Sequence, residues 1–147
     1  MEGDFLIEIS EASQSELGDV ANLYAEAAYG AAIDPADTVM VAKSGGQVVG
    51  AVRLCAEEGV TVLRGMQIRC AFQRRGIGAQ LLAACQPYLD RRRSFCLPYA
   101  HLVTFYAVAG FELAAEAELP HFLMRRLNAY NAQAQNVVAM RRDTPGR

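Results

Sequence analysis

The chain has no tryptophan, only two histidines, and four cysteines in 147 residues. Each shortage removes a class of function. Cys55, Cys70, Cys85 and Cys96 lie 15, 15 and 11 residues apart without a C-x-x-C pair, and His101 and His121 are 20 apart, so no metal-ligand spacing is present. The expected state of the cysteines is reduced, buried thiols. No apolar run reaches the roughly 18–20 residues that span a bilayer. The opening "MEGDFLIEIS" is acidic and lacks the basic stretch of a secretory signal. A cytoplasmic protein without a membrane partner is the expectation. Positive charge is also short overall: Lys plus Arg number 14 against 16 Asp plus Glu, for a net charge of −2. A surface built for nucleic acid is therefore not expected. Two phosphate-binding signatures are missing as well. No G-x-x-x-x-G-K-[ST] occurs, and Gly76-Ile77-Gly78 is followed by Leu81 where a dinucleotide fingerprint needs a third glycine.

What the chain does contain is a concentration of arginine. Arg69, Arg74, Arg75, Arg91, Arg92 and Arg93 fall in one central segment, while acidic residues are scattered elsewhere. This fits a local site for an anionic ligand better than a charged surface. The apolar fraction of 52% and the length suit one globular domain. "FLIEIS" (Phe5–Ser10) reads as a strand. The stretch from Ser13 to Gly30 reads as a helix with a Ser13/Glu16 capping box. Thr38–Lys43 and Gln47–Ala56 read as a hairpin around Ser44-Gly45-Gly46, followed by a Glu57-Glu58-Gly59 turn and a third strand, "VTVLRGMQIRC". Ile77, Leu81, Ala84 or Cys85, and Tyr88 then keep helical spacing, and Pro87 should kink or restart that helix. "SFCL" is a short strand, and "YAHLVTFYAVAG" a helix that carries Leu102, Phe105, Tyr106 and Ala109 on one face and stops at Gly110. "FELAAEAE" and "HFLMRRLN" are predicted as a final strand pair. Residues 1–128 would form the domain, and 129–147 a C-terminal extension, partly helical or disordered. The order of elements predicts α+β with a mixed sheet.

The strand–Gly loop–helix at "AFQRRGIGAQLL" is a ready anion site. A helix N-terminus presents unpaired N–H groups and partial positive charge, glycine lets a ligand approach, and Arg74 and Arg75 add charge-assisted bonds. "QRRGIG" (Gln73–Gly78) resembles the [QR]-x-x-G-x-[GA] motif of the GNAT family of N-acetyltransferases. "MQIRCAF" lies where that family has its acetyl-CoA-binding strand, and "FYAVAGF" (Phe105–Phe111) is similar to its FY-x-x-x-GF segment. The resemblance covers roughly residues 5–128. It implies a GNAT-like, mostly antiparallel sheet of six to seven strands flanked by helices.

By that resemblance acetyl-CoA is the cosubstrate, and no metal is needed. The backbone of Gln73, Arg74, Arg75, Gly76, Ile77, Gly78 and Ala79 would cradle its pyrophosphate. Met66, Gln67 and Ile68 would bond the pantetheine arm and the thioester oxygen. Tyr106 falls where the family has the proton donor to the departing thiolate. Two positions depart from the family pattern: Cys70 stands where a proline is frequent, and Tyr99 where an asparagine is. The implied reaction acetylates a primary amine of a small, amino-acid-like acceptor. Arg53 and Arg64 are candidates to bind an acceptor carboxylate, because an Arg within an apolar strand needs a partner. In "VTVLRGMQI" Arg64 shares parity with Met66 and Ile68, which would put all three on one face. Glu57, Glu58 and His101 are candidates for the base, and none is assigned. Two alternatives stand beside this reading: a peptide or protein N-acetyltransferase, and a non-catalytic CoA-binding module that docks on a partner. The tail after Asn128 is a candidate for packing on a second subunit of a homodimer.

Overall fold

The computed structural model describes residues 6–30 and 32–145. Seven strands form one sheet in the order β1-β2-β3-β4-β5-β7-β6. They are β1 (Ile7–Glu11), β2 (Thr38–Ser44), β3 (Gln47–Glu57), β4 (Val60–Ile68), β5 (Ser94–Cys96), β6 (Glu112–Leu113) and β7 (Met140–Arg142). Every pairing is antiparallel except that of β4 with β5. The α+β expectation and its six to seven mostly antiparallel strands thus agree with the structure. The meander from β2 to β4 turns twice through two residues of positive φ, Gly45 (+57°) with Gly46 (+82°) and Glu58 (+49°) with Gly59 (+86°). That geometry matches the right-handed twist of the strands it joins.

Helices cover both faces. On one lie α2 (Ile77–Ala84), α3 (Gln86–Leu89) and α4 (Val103–Ala107). Ile77, Leu81, Cys85, Leu89 and Tyr106 pack there with Met40, Val52, Leu54 and Leu63 of the sheet. Burying Ile77 and Leu81 fully contributes about 1.5–3 kcal/mol each. The predicted long helix ends and restarts at Pro87, which occupies the first turn of α3, where its missing N–H costs nothing. On the other face, α1 (Leu17–Glu26) buries Val20, Leu23 and Tyr24 against Val39, Val41 and Ala51. The Ser13 N–H donates to Glu16 Oε1 at 2.9 Å ahead of α1, as the capping box requires. α5 (His121–Ala132) packs Phe122 and Leu123 on Val62 and Phe95 of the same face.

α5 corrects the predicted final strand pair: "HFLMRRLN" is helical. Its apolar residues Leu123, Leu127 and Tyr130 recur at i, i+4 and i+7, and Pro120 stands just ahead of the first turn. The partner of β6 is instead β7, which lies between β5 and β6 with Met140 fully buried. The extension 129–147, expected to be partly helical or disordered, therefore contributes a strand to the sheet with Met140, Arg141 and Arg142, while Gly146 and Arg147, like Phe5 of the first predicted strand, lie outside the described residues.

Candidate active site

β4 and β5 run side by side only at their starts, through Thr61↔Ser94 and Val62↔Phe95. Beyond Val62 the two strands part, and among the described residues no strand pairs with that edge of β4. A cleft of about 460 Å³ opens in the gap. Leu63–Gln67 of β4 form one wall, Cys96–Tyr99 the facing wall, and Leu102 and Tyr106 project from the region of α4. The far side is bounded by Ala28–Gly30 after α1 and by Arg126 and Tyr130 of α5. Backbone N–H and C=O groups at a half-buried edge need a partner. An extended chain with amides of its own would supply one.

The same stretch of β4 carries a bulge. Ala51 faces Gln67 and Arg53 faces Arg64, so Gly65 and Met66 stand opposite the single residue Val52. Gly65 has φ +71°, the left-handed conformation in which glycine opens a bulge. The bulge is held from behind. Tyr24 donates its hydroxyl to the Gly65 carbonyl at 2.9 Å. Tyr24 and Tyr29 flank the Arg53 guanidinium, whose carbon lies 5.6 Å and 6.0 Å from their ring centres. Arg53 in turn bonds Asp37 at 3.0 Å, the Ala32 carbonyl at 3.0 Å and the Tyr29 hydroxyl at 3.2 Å. A chain of buried groups therefore ties the loop after α1 to the bulge.

The bulge also resets side-chain parity. Arg64 lies directly across from Arg53, so the two share the α1 face. Met66 and Ile68 pack with Leu63 on the α2–α4 face. The expectation that Arg64, Met66 and Ile68 line one face is corrected by this extra residue. The two arginines also differ. Arg53 is 2% exposed, committed to Asp37, and not among the cleft residues. Arg64 lines the cleft and meets Glu57 at 3.5 Å.

Tyr106 is 7% exposed, with its ring edge-on to Phe105 and Phe111. Among the described residues no hydrogen bond engages its hydroxyl. Burial pushes the phenol well above its ordinary value, so it stays protonated across the neutral range. The candidate bases fare differently. Glu57 is bonded by Arg126 at 2.7 and 3.3 Å, Glu58 occupies an exposed turn, and His101 stacks on Tyr99; none lines the cleft.

After β4 the chain makes a short turn and enters α2 at Gly76. Gln73 bonds back to the Ile68 carbonyl at 2.9 Å, which fixes the loop to the end of the strand. Arg74 and Gly76 have φ of +65° and +79°, on either side of Arg75. Alternation of this kind turns successive N–H groups to one side, a concavity that suits an anion. The two glycines of the motif have separate physical reasons. Gly76 supplies the left-handed entry to α2, with nothing within 4 Å of a Cβ built on it. At Gly78 a Cβ would meet the Phe105 ring at 3.3 Å, so its small size lets α2 approach α4.

Over residues 8–121 the sequence matches the acetyltransferase (GNAT) domain. The chain belongs to the GNAT family. Among solved structures of similar fold is N-acetylglutamate synthase from Neisseria gonorrhoeae, complexed with coenzyme A and N-acetyl-glutamate: 20% identity over 94% of this chain and 35% of that one, TM-score 0.66. The chain thus spans about a third of that synthase. Escherichia coli ElaA superposes with a TM-score of 0.68 at 18% identity, covering 94% of this chain and all of the other. The ribosomal-protein-S18-alanine N-acetyltransferase from Escherichia coli gives 0.68 at 13% identity over 94% of each chain. At these identities the likeness is one of fold, and the named acceptors differ. No curated protein matches the chain. Among the described residues no group of three or more His, Cys, Asp or Glu could hold a metal ion, and no helix is long and apolar enough to cross a membrane.

The GNAT motif drew attention to β4, the Gly turn and Tyr106, and the structure brings β4 and Tyr106 to one cleft. It adds residues that the motif did not mark: Tyr24 and Asp37, which brace the bulge, and Arg126 and Tyr130 of α5, which face the cleft from the side opposite Tyr106. Tyr130 belongs to the i, i+4, i+7 spacing of α5, and Arg126 stands one turn before it on the same helix. Nothing local marks Tyr24 or Asp37, whose partners lie 41 and 16 residues away.

Proposed function

We propose that the chain is an acetyl-CoA-dependent N-acetyltransferase that acetylates a primary amine of a small, amino-acid-like acceptor. One observation carries the reading: an unpaired strand edge, kinked by a bulge, opens into a cleft that also holds a buried tyrosine with a free hydroxyl. The pantetheine arm is an extended chain with two amides, and Met66, Gln67 and Ile68 offer it a strand edge to bond. Backbone N–H groups from Arg74 to Ala79 take the pyrophosphate at the start of α2, helped by the Arg74 and Arg75 guanidiniums. The N–H groups around the bulge are fixed before substrate arrives and can meet the thioester oxygen as charge develops on it.

In the reaction the acceptor ammonium first loses a proton to water. The amine nitrogen attacks the thioester carbonyl, the C–N bond forms and the C–S bond breaks. The departing thiolate takes the proton of Tyr106, and the second amine proton restores the phenol. The products are the acetamide, CoA thiol and one proton. Tyr106 suits its role because burial keeps it protonated at neutral pH; the thiolate is the weaker base, and the transfer is completed because the far more acidic N-protonated amide returns a proton to the phenol. Changing Tyr106→Phe keeps the ring packing and removes only the hydroxyl. Turnover is expected to fall about 10²-fold or more, while calorimetric titration shows micromolar acetyl-CoA binding unchanged. A Tyr106→Phe protein with full turnover would remove the tyrosine from the mechanism. Absence of acetyl-CoA binding up to about 1 mM, weaker than about −4 kcal/mol, would overturn the reading as a whole.

A further inference from the structure

The cleft is electrostatically one-sided. Arg64 and Arg126 line it, and no aspartate or glutamate does. Both arginines lean on one carboxylate, Glu57, which lies behind them. Arg126 holds it with two bonds, at 2.7 and 3.3 Å. Arg64 reaches it only at 3.5 Å, and among the described residues no hydrogen bond engages the Arg64 side chain. Two guanidiniums thus share a single counter-charge, and the planar fork of Arg64 keeps its donors free at the wall. The group is neither buried past reach nor freely solvated, with side-chain exposures of 25% for Arg64 and 22% for Arg126 and Glu57. In such half-buried surroundings a charge pair is felt more strongly than in open water.

Position decides which ligand meets it. Arg64 shares the α1 face with Arg53, and Arg126 belongs to α5, packed on that same side. Tyr106 belongs to the opposite face, with Met66 and α2. The cleft passes between the parted strands and joins the two sides, so an acceptor entering from the α1–α5 side reaches the arginines before the tyrosine. We infer that Arg64, supported by the Arg126–Glu57 pair, is a carboxylate-binding subsite, and that the acceptor is an amine that carries a carboxylate, such as a free amino acid. Polyamines and other multiply cationic amines are disfavoured by the same charge, since like charges repel across the wall. This inference rests on the acetyltransferase reading of the cleft.

The test uses the full chain, acetyl-CoA and three probes: L-alanine, L-phenylalanine and L-glutamate; their carboxamides, with glutamate represented by its α-amide; and spermidine. Release of CoA thiol reports turnover. Calorimetry in the presence of CoA compares the N-acetyl form of each amino acid with that of its amide. At least one acid is expected to exceed its amide tenfold or more in kcat/KM, and its N-acetyl form to bind where the N-acetyl amide does not. Arg64→Gln should erase both preferences, raising KM for the acid far more than for the amide. Arg64→Lys, which keeps the charge and loses the fork, should recover part of the preference. An unchanged acid-to-amide ratio in Arg64→Gln overturns the subsite. So does spermidine as the best acceptor, or acetyl-CoA binding with no turnover of any amino acid. Loss of acetyl-CoA binding in the wild-type protein is a different failure, and overturns the enzyme reading together with the subsite.

Discussion

Alanine at Gly65 should cost far more than alanine at Gly59, although both glycines have positive φ, +71° and +86°. Placing an L side chain in the left-handed region costs about 1–2 kcal/mol. At Gly59 nothing lies within 4 Å of the new Cβ, so that strain is the whole effect. At Gly65 the Cβ would stand 2.5 Å from the Tyr24 hydroxyl oxygen, 3.1 Å from its Cζ and 3.2 Å from Arg53 Nε. Neither neighbour can swing aside, because each is only 2% exposed. Displacing the hydroxyl breaks its bond to the Gly65 carbonyl and strands a buried polar group, for about 1–3 kcal/mol more. Gly65→Ala should therefore lose about 2–5 kcal/mol and Gly59→Ala about 1–2. Urea unfolding measures both, with equal m values as the sign that only stability has changed. A double-mutant cycle sharpens the point. Tyr24→Phe alone costs about 1 kcal/mol, and combined with Gly65→Ala it should recover part of the loss, since the atom at 2.5 Å is gone. If the two single glycine variants agree within about 0.5 kcal/mol, or the cycle is additive, Tyr24 does not brace the bulge.

The protein should lose stability in alkali. Burial pushes the Cys55 and Cys85 thiols up to about 12, and raises Cys96, Tyr24 and Tyr106 as well. The folded state then holds protons that the unfolded chain releases, so stability is intact below about pH 9 and falls by up to about 1.4 kcal/mol per pH unit per thiol above it. A urea midpoint unchanged between about pH 8 and 10.5 would contradict that burial. The acceptor's kcat/KM should climb with pH until the free amine itself is deprotonated, with no plateau near neutrality, because no carboxylate or histidine lines the cleft. A plateau near pH 6–7 would place a base there. Thiol labelling of the native protein should modify Cys70 alone, the one exposed cysteine of the four, and a second fast-reacting thiol would refute the burial of the other three.

The elements that were legible in the sequence are those whose partners are close by. The β2–β4 meander announces itself through two turns rich in glycine, and each strand pairs with the next. The Gly turn was legible because a strand, a loop and a helix follow one another within a few residues, and Tyr106 was singled out because it lies in the short segment "FYAVAGF". The Arg64–Met66 relation misled because parity assumes an unbroken ladder, and one glycine at positive φ adds a residue without changing the apolar pattern. β7 misled for a related reason. "NVVAMRR" ends in two arginines, which looks like a solvated tail. In the fold Arg142 bonds the Ala109 carbonyl at 2.8 Å, Gln86 at 2.7 Å and Asp90 at 2.6 Å, and Arg141 pairs with Glu118 at 2.8 Å. Their partners lie 23 to 56 residues earlier, and a local pattern holds no record of such distances. The same limit applies to the acceptor side of the cleft. Arg64 and Arg126 are 62 residues apart in the chain, and only Glu57, bonded by one and 3.5 Å from the other, marks them as a pair. A motif search sees the Gly turn after β4, because its residues, Gln73–Gly78, are contiguous. The proposed acceptor side is assembled from α5 and the far face of β4, so its chemistry is readable only once the strands have parted around it.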